Sequence, residues 1–158
     1  MSRRQVLESL AVLGIATAAG AAVSAPRPVG AQAFGTQETV DAAIKRVFGG
    51  RPLADGSAII KLDVPLIAEN GAVVPVSVEV QSPMTAADHI RQIYVVADRN
   101  RIPVVARATL TPEAGRAYIG ANIRLGETGD VRAVVERSDG TLLQVRREVK
   151  VTVGGCGG

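Results

Sequence analysis

Short runs rich in β-branched residues fill the chain from residue 57 onward, and they constrain the fold more than any other feature. Turn-forming residues such as Glu69-Asn70-Gly71 and Ser138-Asp139-Gly140 separate the runs. Strands at this spacing are typical of an antiparallel, immunoglobulin-like β-sandwich, so we predict an all-β fold. The predicted strands span residues 58–67, 72–80, 90–97, 102–110, 116–125, 131–137 and 141–153.

One stretch ahead of the strands has the periodicity of a helix. Val40, Ile44 and Phe48 recur at the spacing of one helical face, and Gly49-Gly50 follows them. Apolar residues at intervals of three and four residues predict an amphipathic helix, and a glycine commonly ends one. We therefore expect a short helix over residues 36–48, with an apolar face that must dock on another part of the protein.

Residues 1–33 have the features of a cleaved export signal. The opening Ser2-Arg3-Arg4-Gln5-Val6-Leu7 resembles the twin-arginine export motif, a small and apolar run follows over residues 12–23, and the segment ends in Ala31-Gln32-Ala33. The run is too short for a membrane anchor, which takes about 20 strongly apolar residues. We expect cleavage before Phe34, and a mature protein in the bacterial periplasm without a membrane anchor.

Composition excludes several classes of function. The predicted signal contains three of the 18 basic residues and one of the 15 acidic ones, so the remainder has a net charge of +1. A nearly neutral protein of this kind offers no basic surface for nucleic acid. Its 3% aromatic residues offer no platform on which bases could stack. One Cys and one His cannot form an internal disulfide or a multi-thiolate metal site. Because twin-arginine export carries folded cargo and no cofactor ligands are evident, we expect a partner chain exported alongside.

The segment Gly154-Gly155-Cys156-Gly157-Gly158 places the only thiol between two pairs of glycines. Glycine loses the most conformational entropy on ordering, so residues 154–158 are expected to form an unpacked, flexible arm. An extended chain gives Cys156 a reach of about 10 Å from Val153. A free thiol titrates at about pH 8.5, and no basic residue in the arm stabilises a thiolate.

Three roles for this thiol remain open on the residues alone. Cys156 could carry a covalently bound group that other enzymes load and remove, because a poorly ionised thiol is a weak catalyst by itself. It could instead join two chains through a disulfide in an oxidising compartment, or be an incidental exposed thiol.

The other titratable residues form no recognisable catalytic motif. His89 is a single imidazole ahead of a predicted strand and is expected to be a loop residue. No spacing rule pairs the carboxylates for acid and base catalysis, and they are expected to face solvent: Asp63, Glu69, Glu79 and Asp88. A basic stretch is expected to form a solvated strand edge, or alternatively to dock an anionic partner surface: Arg146, Arg147 and Lys150.

Three stretches resemble the SoxY family, the sulfur-carrier subunits of the bacterial thiosulfate-oxidising Sox system. They are residues 149–158, residues 65–76, and residues 123–131 continuing to the turn at 138–140. The resemblance implies a twin-arginine-type signal peptide at 1–33, a SoxY-like domain at 34–153 and a carrier arm at 154–158. Residues 99–103 and 142–143 depart from the family pattern, and neither stretch is expected to touch the arm.

The same resemblance implies a carrier protein that is a substrate of partner enzymes and has no catalytic residues, cofactor or metal of its own. Thiosulfate-derived sulfur would be attached covalently to Cys156, and the arm would swing on Gly154, Gly155, Gly157 and Gly158. The implied partners are a SoxZ-like subunit in a heterodimer, SoxAX to join thiosulfate to the thiol, SoxB to release sulfate, and SoxCD to oxidise the remaining sulfur.

Overall fold

The computed structural model describes residues 37–155. The predicted signal at 1–33 and the predicted sites Cys156, Gly157 and Gly158 lie outside the described residues. The described chain forms one α-helix, nine strands and a short 3₁₀ helix, Pro112–Ala114. The helix is α1 (Val40–Phe48), and the strands are β1 (Leu53–Asp55), β2 (Ile60–Asp63), β3 (Ile67–Ala68), β4 (Val74–Val80), β5 (Ile90–Ala97), β6 (Val104–Thr109), β7 (Ala117–Ile123), β8 (Gly129–Arg137) and β9 (Leu142–Val151).

The strands form two sheets that pack face to face. The larger sheet has the order β1-β9-β8-β5-β6, with β3 also paired to β9, and the smaller has the order β2-β4-β7. Alternate residues of β4, such as Val74, Val76 and Val78, are buried in one cluster with Ile93 and Val135 of the larger sheet. This alternation of buried and exposed residues is what a sandwich requires, and the predicted all-β sandwich is confirmed.

Helix α1 packs on the outer face of the larger sheet. It begins at Val40, later than predicted, because the Oγ1 of Thr39 accepts the amide hydrogen of Ala42 (3.3 Å) and so caps the first turn. It ends at Phe48 and is followed by the cap residue Gly49, whose φ of 64° is left-handed. Phe48 is buried and meets Tyr94 edge to face, with ring centroids 5.0 Å apart. The outer face of the sheet is therefore the surface on which the predicted apolar stripe docks.

We expect Thr39→Ala to lower the free energy of unfolding by about 1 kcal/mol, because it removes the acceptor for an amide in the first turn of α1. Chemical denaturation followed by circular dichroism measures the change. Thr111→Ala is the matched control, since Thr111 precedes the 3₁₀ helix without forming a side-chain cap bond. Equal losses in the two variants would contradict the role of the Thr39 cap.

The sheets differ from the prediction in two respects. The predicted strand at 58–67 is two strands, β2 and β3, with Pro65 between them, and proline cannot donate to a strand ladder. The short strand β1 was missed, and both β1 and β3 run parallel to β9. The larger sheet is therefore mixed at this edge, while its other strand pairs are antiparallel as predicted.

The hairpin predicted at Asp139-Gly140 joins β8 to β9. Gly140 has a φ of 86°, and the carboxylate of Asp139 accepts the amide hydrogen of Thr141 (2.8 Å), a bond that lowers the pKa of Asp139. Strand β9 then runs the length of the sandwich toward the predicted carrier arm. Within residues 37–155, no helix has the length and apolarity needed to cross a membrane.

Candidate functional site

The chain beyond β9 lies between two segments at one end of the sandwich. We name residues 152–155 the arm base, because Cys156 follows directly. One neighbouring segment is the 69–72 turn, which follows β3, and the other is the 124–128 loop, which joins β7 to β8. These segments fall within the stretches that resemble the SoxY family, so the fold brings the resembling residues together around the arm base.

The 69–72 turn and the strand before it hold the first half of the arm base. The amide of Thr152 donates to the carbonyl of Ala68 (3.1 Å), and the Thr152 hydroxyl donates to the carbonyl of Glu69 (2.9 Å). The amide of Gly71 donates to the carbonyl of Val153 (2.7 Å). These bonds extend the β3–β9 pairing beyond the last residue of either strand.

The 124–128 loop is the second segment that holds the arm base. The amide of Gly155 donates to the carbonyl of Leu125 (3.0 Å), and the amide of Leu125 donates to the carbonyl of Gly71 (2.7 Å). The hydroxyl of Thr128 accepts the amide hydrogen of Val151 (2.9 Å). The turn, the loop and the arm base are thus connected to one another by hydrogen bonds.

Glycines allow this close approach. A Cβ at Gly155 would lie 2.8 Å from backbone atoms of Ala72, and one at Gly154 would lie 2.3 Å from the carbonyl oxygen of Gly126. A Cβ at Gly71 would lie 2.3 Å from the carbonyl oxygen of Leu125. Atoms cannot approach so closely, so a side chain at any of these positions would require the backbone to move.

The expectation of an unpacked arm is therefore corrected for Gly155, the second of its five residues. Gly155 is buried, and its amide is hydrogen-bonded to the body of the protein. Gly154 lies against Gly126. The entropy cost of ordering Gly155 is offset by a backbone bond that only a residue without a side chain can reach at this position. The other predicted arm residues, Cys156, Gly157 and Gly158, are outside the described residues.

Exposed apolar side chains occur on the segments that carry the arm base. Leu66, Ile67, Val73 and Val153 are each more than half exposed, at 67%, 58%, 60% and 64%. Ile67 pairs with Lys150 in the β3–β9 ladder, and Val153 belongs to the arm base itself. Exposed apolar groups that occur together often mark a site of protein–protein contact. The surface from which Cys156 continues is thus partly apolar.

The sequence did not reveal Gly71, Gly126 or Thr128 as contributors to this site. Gly71 and Gly126 both lie within stretches that resemble the family, which is the signal that could have identified them. Thr128 lies in the same resembling stretch as Gly126 and carries the same signal. Residues 142–143 begin β9 at the end remote from Val151, as expected for a stretch that does not touch the arm.

The other predicted residues are placed apart from the arm base. His89 lies in the segment before β5, where its Nδ1 is 3.1 Å from the carbonyl oxygen of Thr85. Two of the carboxylates form ion pairs with arginines, Glu79 with Arg116 (2.7 Å) and Asp88 with Arg137 (3.1 Å). Among residues 37–155, no group of three His, Cys, Asp or Glu side chains could hold a metal ion.

The basic stretch lies on the exposed part of β9. Arg146 and Arg147 are exposed, between the residues of β9 that pair with β1 and those that pair with β3. On this length β9 pairs with β8 on one side only, and charged side chains on such an open strand edge oppose edge-to-edge association. Arg146 and Arg147 therefore lie at the expected solvated edge, whereas Lys150 lies in the part of β9 that pairs with Ile67 of β3.

A shallow depression of about 530 Å³ lies on the outer face of the smaller sheet. Pro75 and Ser77 of β4 and Tyr118 and Asn122 of β7 line it. None of its lining residues belongs to the arm base, the 69–72 turn or the 124–128 loop, so this depression is separate from the site.

Comparison with known proteins identifies the family. Residues 44–156 match the family described as "Sulfur oxidation protein SoxY". The solved structure of the sulfur carrier protein SoxY from Chlorobium limicola f. thiosulfatophilum is similar, with 33% sequence identity and a TM-score of 0.61 over 73% of this chain and 97% of that one. A sequence comparison with curated proteins found no match.

Two superoxide reductase structures share the fold alone. The neelaredoxin from Ignicoccus hospitalis has 22% identity and a TM-score of 0.52 over 59% of this chain and 80% of that one. A variant of the same neelaredoxin has 23% identity and a TM-score of 0.53 over 72% of this chain and 93% of that one. The family match covers most of the chain and includes both the arm base and the residue after it. This protein belongs to the SoxY family of sulfur oxidation proteins.

Proposed function

We propose that this protein is a covalent carrier of sulfur intermediates in thiosulfate oxidation, with Cys156 as the attachment point. The observation that carries the proposal is the family match, which extends to Cys156 itself. The thiol directly follows a docked arm base, so it is tethered at one defined place on the protein surface. A similar protein of known structure is described as a sulfur carrier.

The chemistry follows from what a thiol can bind. Joining thiosulfate to Cys156 forms a sulfur–sulfur bond between Sγ and the outer sulfur of thiosulfate, and it releases one proton and two electrons. We assign the acceptance of these two electrons to a haem enzyme of the SoxAX type. The product is a Cys156 thiosulfonate, with one negative charge on its terminal sulfonate group.

The next step is hydrolysis and involves no electrons. Water attacks the terminal sulfone sulfur, sulfate leaves with two protons, and a persulfide anion stays on Cys156. An enzyme of the SoxB type catalyses this step, and a SoxCD-type enzyme oxidises the persulfide sulfur further. The carrier itself is a substrate in each reaction and not an enzyme.

We further propose that the protein works in the periplasm as a heterodimer with a SoxZ-like subunit. The twin-arginine-like segment at the start of the sequence supports export in a folded state, together with that subunit. Covalent attachment keeps reactive sulfur from diffusing away and presents it to each enzyme at a high effective concentration. The exposed apolar side chains near the arm base, such as Val73 and Val153, give those enzymes a surface to contact.

Intact-protein mass spectrometry tests the carrier role. The purified protein is incubated with thiosulfate and an extract from carrier-deficient cells that were grown on another energy source and exposed to thiosulfate. Relative to the unmodified protein, we first expect a mass increase of one S₂O₃ group. After sulfate is released, the increase should fall to that of one sulfur atom. Cys156→Ser should carry no adduct. A disulfide-linked dimer without adducts would favour the alternative role of Cys156 as a link between two chains.

A further inference from the structure

Asn100 is the one polar side chain buried within residues 37–155, with 6% of its surface exposed. It lies in the turn between β5 and β6, and its backbone amide donates to the carbonyl of Ala97 (3.2 Å). A buried amide side chain needs partners for both its donor and its acceptor. Both partners of Asn100 lie in the same distant segment, the 124–128 loop.

The two bonds of the Asn100 side chain fix the backbone of this loop. Its Nδ2 donates to the carbonyl of Arg124 (2.6 Å), and its Oδ1 accepts the amide hydrogen of Gly126 (3.0 Å). Leu125, held between these two residues, accepts the amide hydrogen of Gly155 on its carbonyl. The carbonyl oxygen of Gly126 is the atom that Gly154 approaches. Asn100 therefore braces the backbone on which the arm base rests, without contacting the arm base itself.

We propose that Asn100 is a positioning residue that sets where Cys156 leaves the body of the protein. This inference rests on the proposed carrier function of Cys156. Because consecutive Cα atoms are about 3.8 Å apart, the Cα of Cys156 is held at that distance from the docked Gly155. Because Gly155 is fixed, the segment that bears the thiol leaves the body of the protein at the same point for every partner enzyme. The pivot of the arm is then at Gly155, and not at Val153 where the glycine pattern alone places it.

Two measurements on the full chain test the role of Asn100 in Asn100→Ala. The first is the amide hydrogen exchange rate of Gly155, which we expect to rise by about tenfold as its bond to Leu125 loosens. The second is the electron paramagnetic resonance spectrum of a nitroxide on Cys156, the only cysteine in the chain. We expect narrower lines than in the spin-labelled wild type. Exchange at Val134, in the centre of β8, is measured in parallel and reports any change in global stability separately.

Asn122→Ala is the matched control, because Asn122 is exposed on β7, on the outer face of the smaller sheet. It should leave Gly155 exchange and the nitroxide spectrum at their wild-type values. Asn100→Asp serves as the conservative variant, since a carboxylate still accepts the Gly126 amide hydrogen but cannot donate to Arg124 when ionised. The buried carboxylate would face the carbonyl oxygen of Arg124, so we expect the Gly155 exchange rate of Asn100→Asp to rise at least as much as that of Asn100→Ala.

A kinetic measurement separates positioning from a general loss of structure. With thiosulfate and carrier-free cell extract, the rate of adduct formation is measured against carrier concentration. We expect Asn100→Ala to raise the KM for the carrier severalfold while kcat changes little, because the thiol itself is unaltered.

Gly155 exchange and a nitroxide spectrum that match wild type in Asn100→Ala or Asn100→Asp would overturn the proposal. Neither measurement involves thiosulfate or a partner enzyme, so this failure is distinct from failure of the carrier function. An absence of adducts on the wild-type protein would refute the carrier function, while the exchange result would still report on how Asn100 holds the arm base.

Discussion

Cells in which Cys156→Ser replaces the wild-type protein should lose thiosulfate-dependent sulfate production. A serine hydroxyl cannot form the sulfur–sulfur bond that joins thiosulfate to the carrier, and the sequence contains no second thiol to replace it. We therefore expect sulfate output to fall to that of cells lacking the gene. Sulfate released from thiosulfate by washed cells is the quantity to measure, with protein abundance checked in parallel.

Moving the thiol provides the control for that experiment. Cys156→Ser combined with Ser57→Cys restores one cysteine per chain, but on an exposed residue next to β1. We expect this double variant to be as inactive as the single one, because partner enzymes receive the thiol only from the arm. Wild-type sulfate output in either variant would contradict the carrier role of Cys156.

Gly155→Ala should release the arm base from the body of the protein. The added Cβ would lie 2.8 Å from backbone atoms of Gly71 and Ala72, a separation that forces the chain to move. We expect loss of the residue 155 amide bond to Leu125, exchange at that amide about tenfold faster, and a decrease of about 1 kcal/mol in the free energy of unfolding.

Gly157→Ala is the matched control, since it adds the same methyl group on the other side of Cys156. It should leave the chemical shifts of Gly71, Ala72 and Leu125 unchanged, whereas Gly155→Ala should shift all three. If both glycines served only as flexible joints, the two variants would behave alike. Equal effects on exchange and stability would therefore argue against a docked arm base.

The strands whose positions could be predicted well are those in which apolar and polar residues alternate with a period of two. Strand β4 alternates Val74, Val76, Val78 and Val80 with exposed or half-buried residues, and its buried face could be predicted from that pattern. Strands β1 and β3 have only three and two residues, too few to show a period. They exist because β9 offers an edge distant in sequence, and no local pattern indicates that edge.

The residues of the candidate site could be predicted from the sequence, but the conformation of the arm base could not. The thiol and its glycines stand out in the sequence, yet glycine composition reports only conformational freedom. Whether Gly155 is free or docked depends on Ala72 and Leu125, which are distant in sequence and arrive there only through the fold. Asn100 gave no sign of its role for the same reason, since its partners lie 24 and 26 residues further along the chain.

The most direct measurement follows the sulfur itself. Cells are given thiosulfate labelled with a heavy sulfur isotope, the protein is isolated without reductant, and trypsin cleavage after Lys150 releases residues 151–158. Tandem mass spectrometry should find labelled sulfur on Cys156, as a thiosulfonate or a persulfide. A peptide that carries only an unmodified thiol, or only a disulfide to a second chain, under active thiosulfate oxidation would contradict the account.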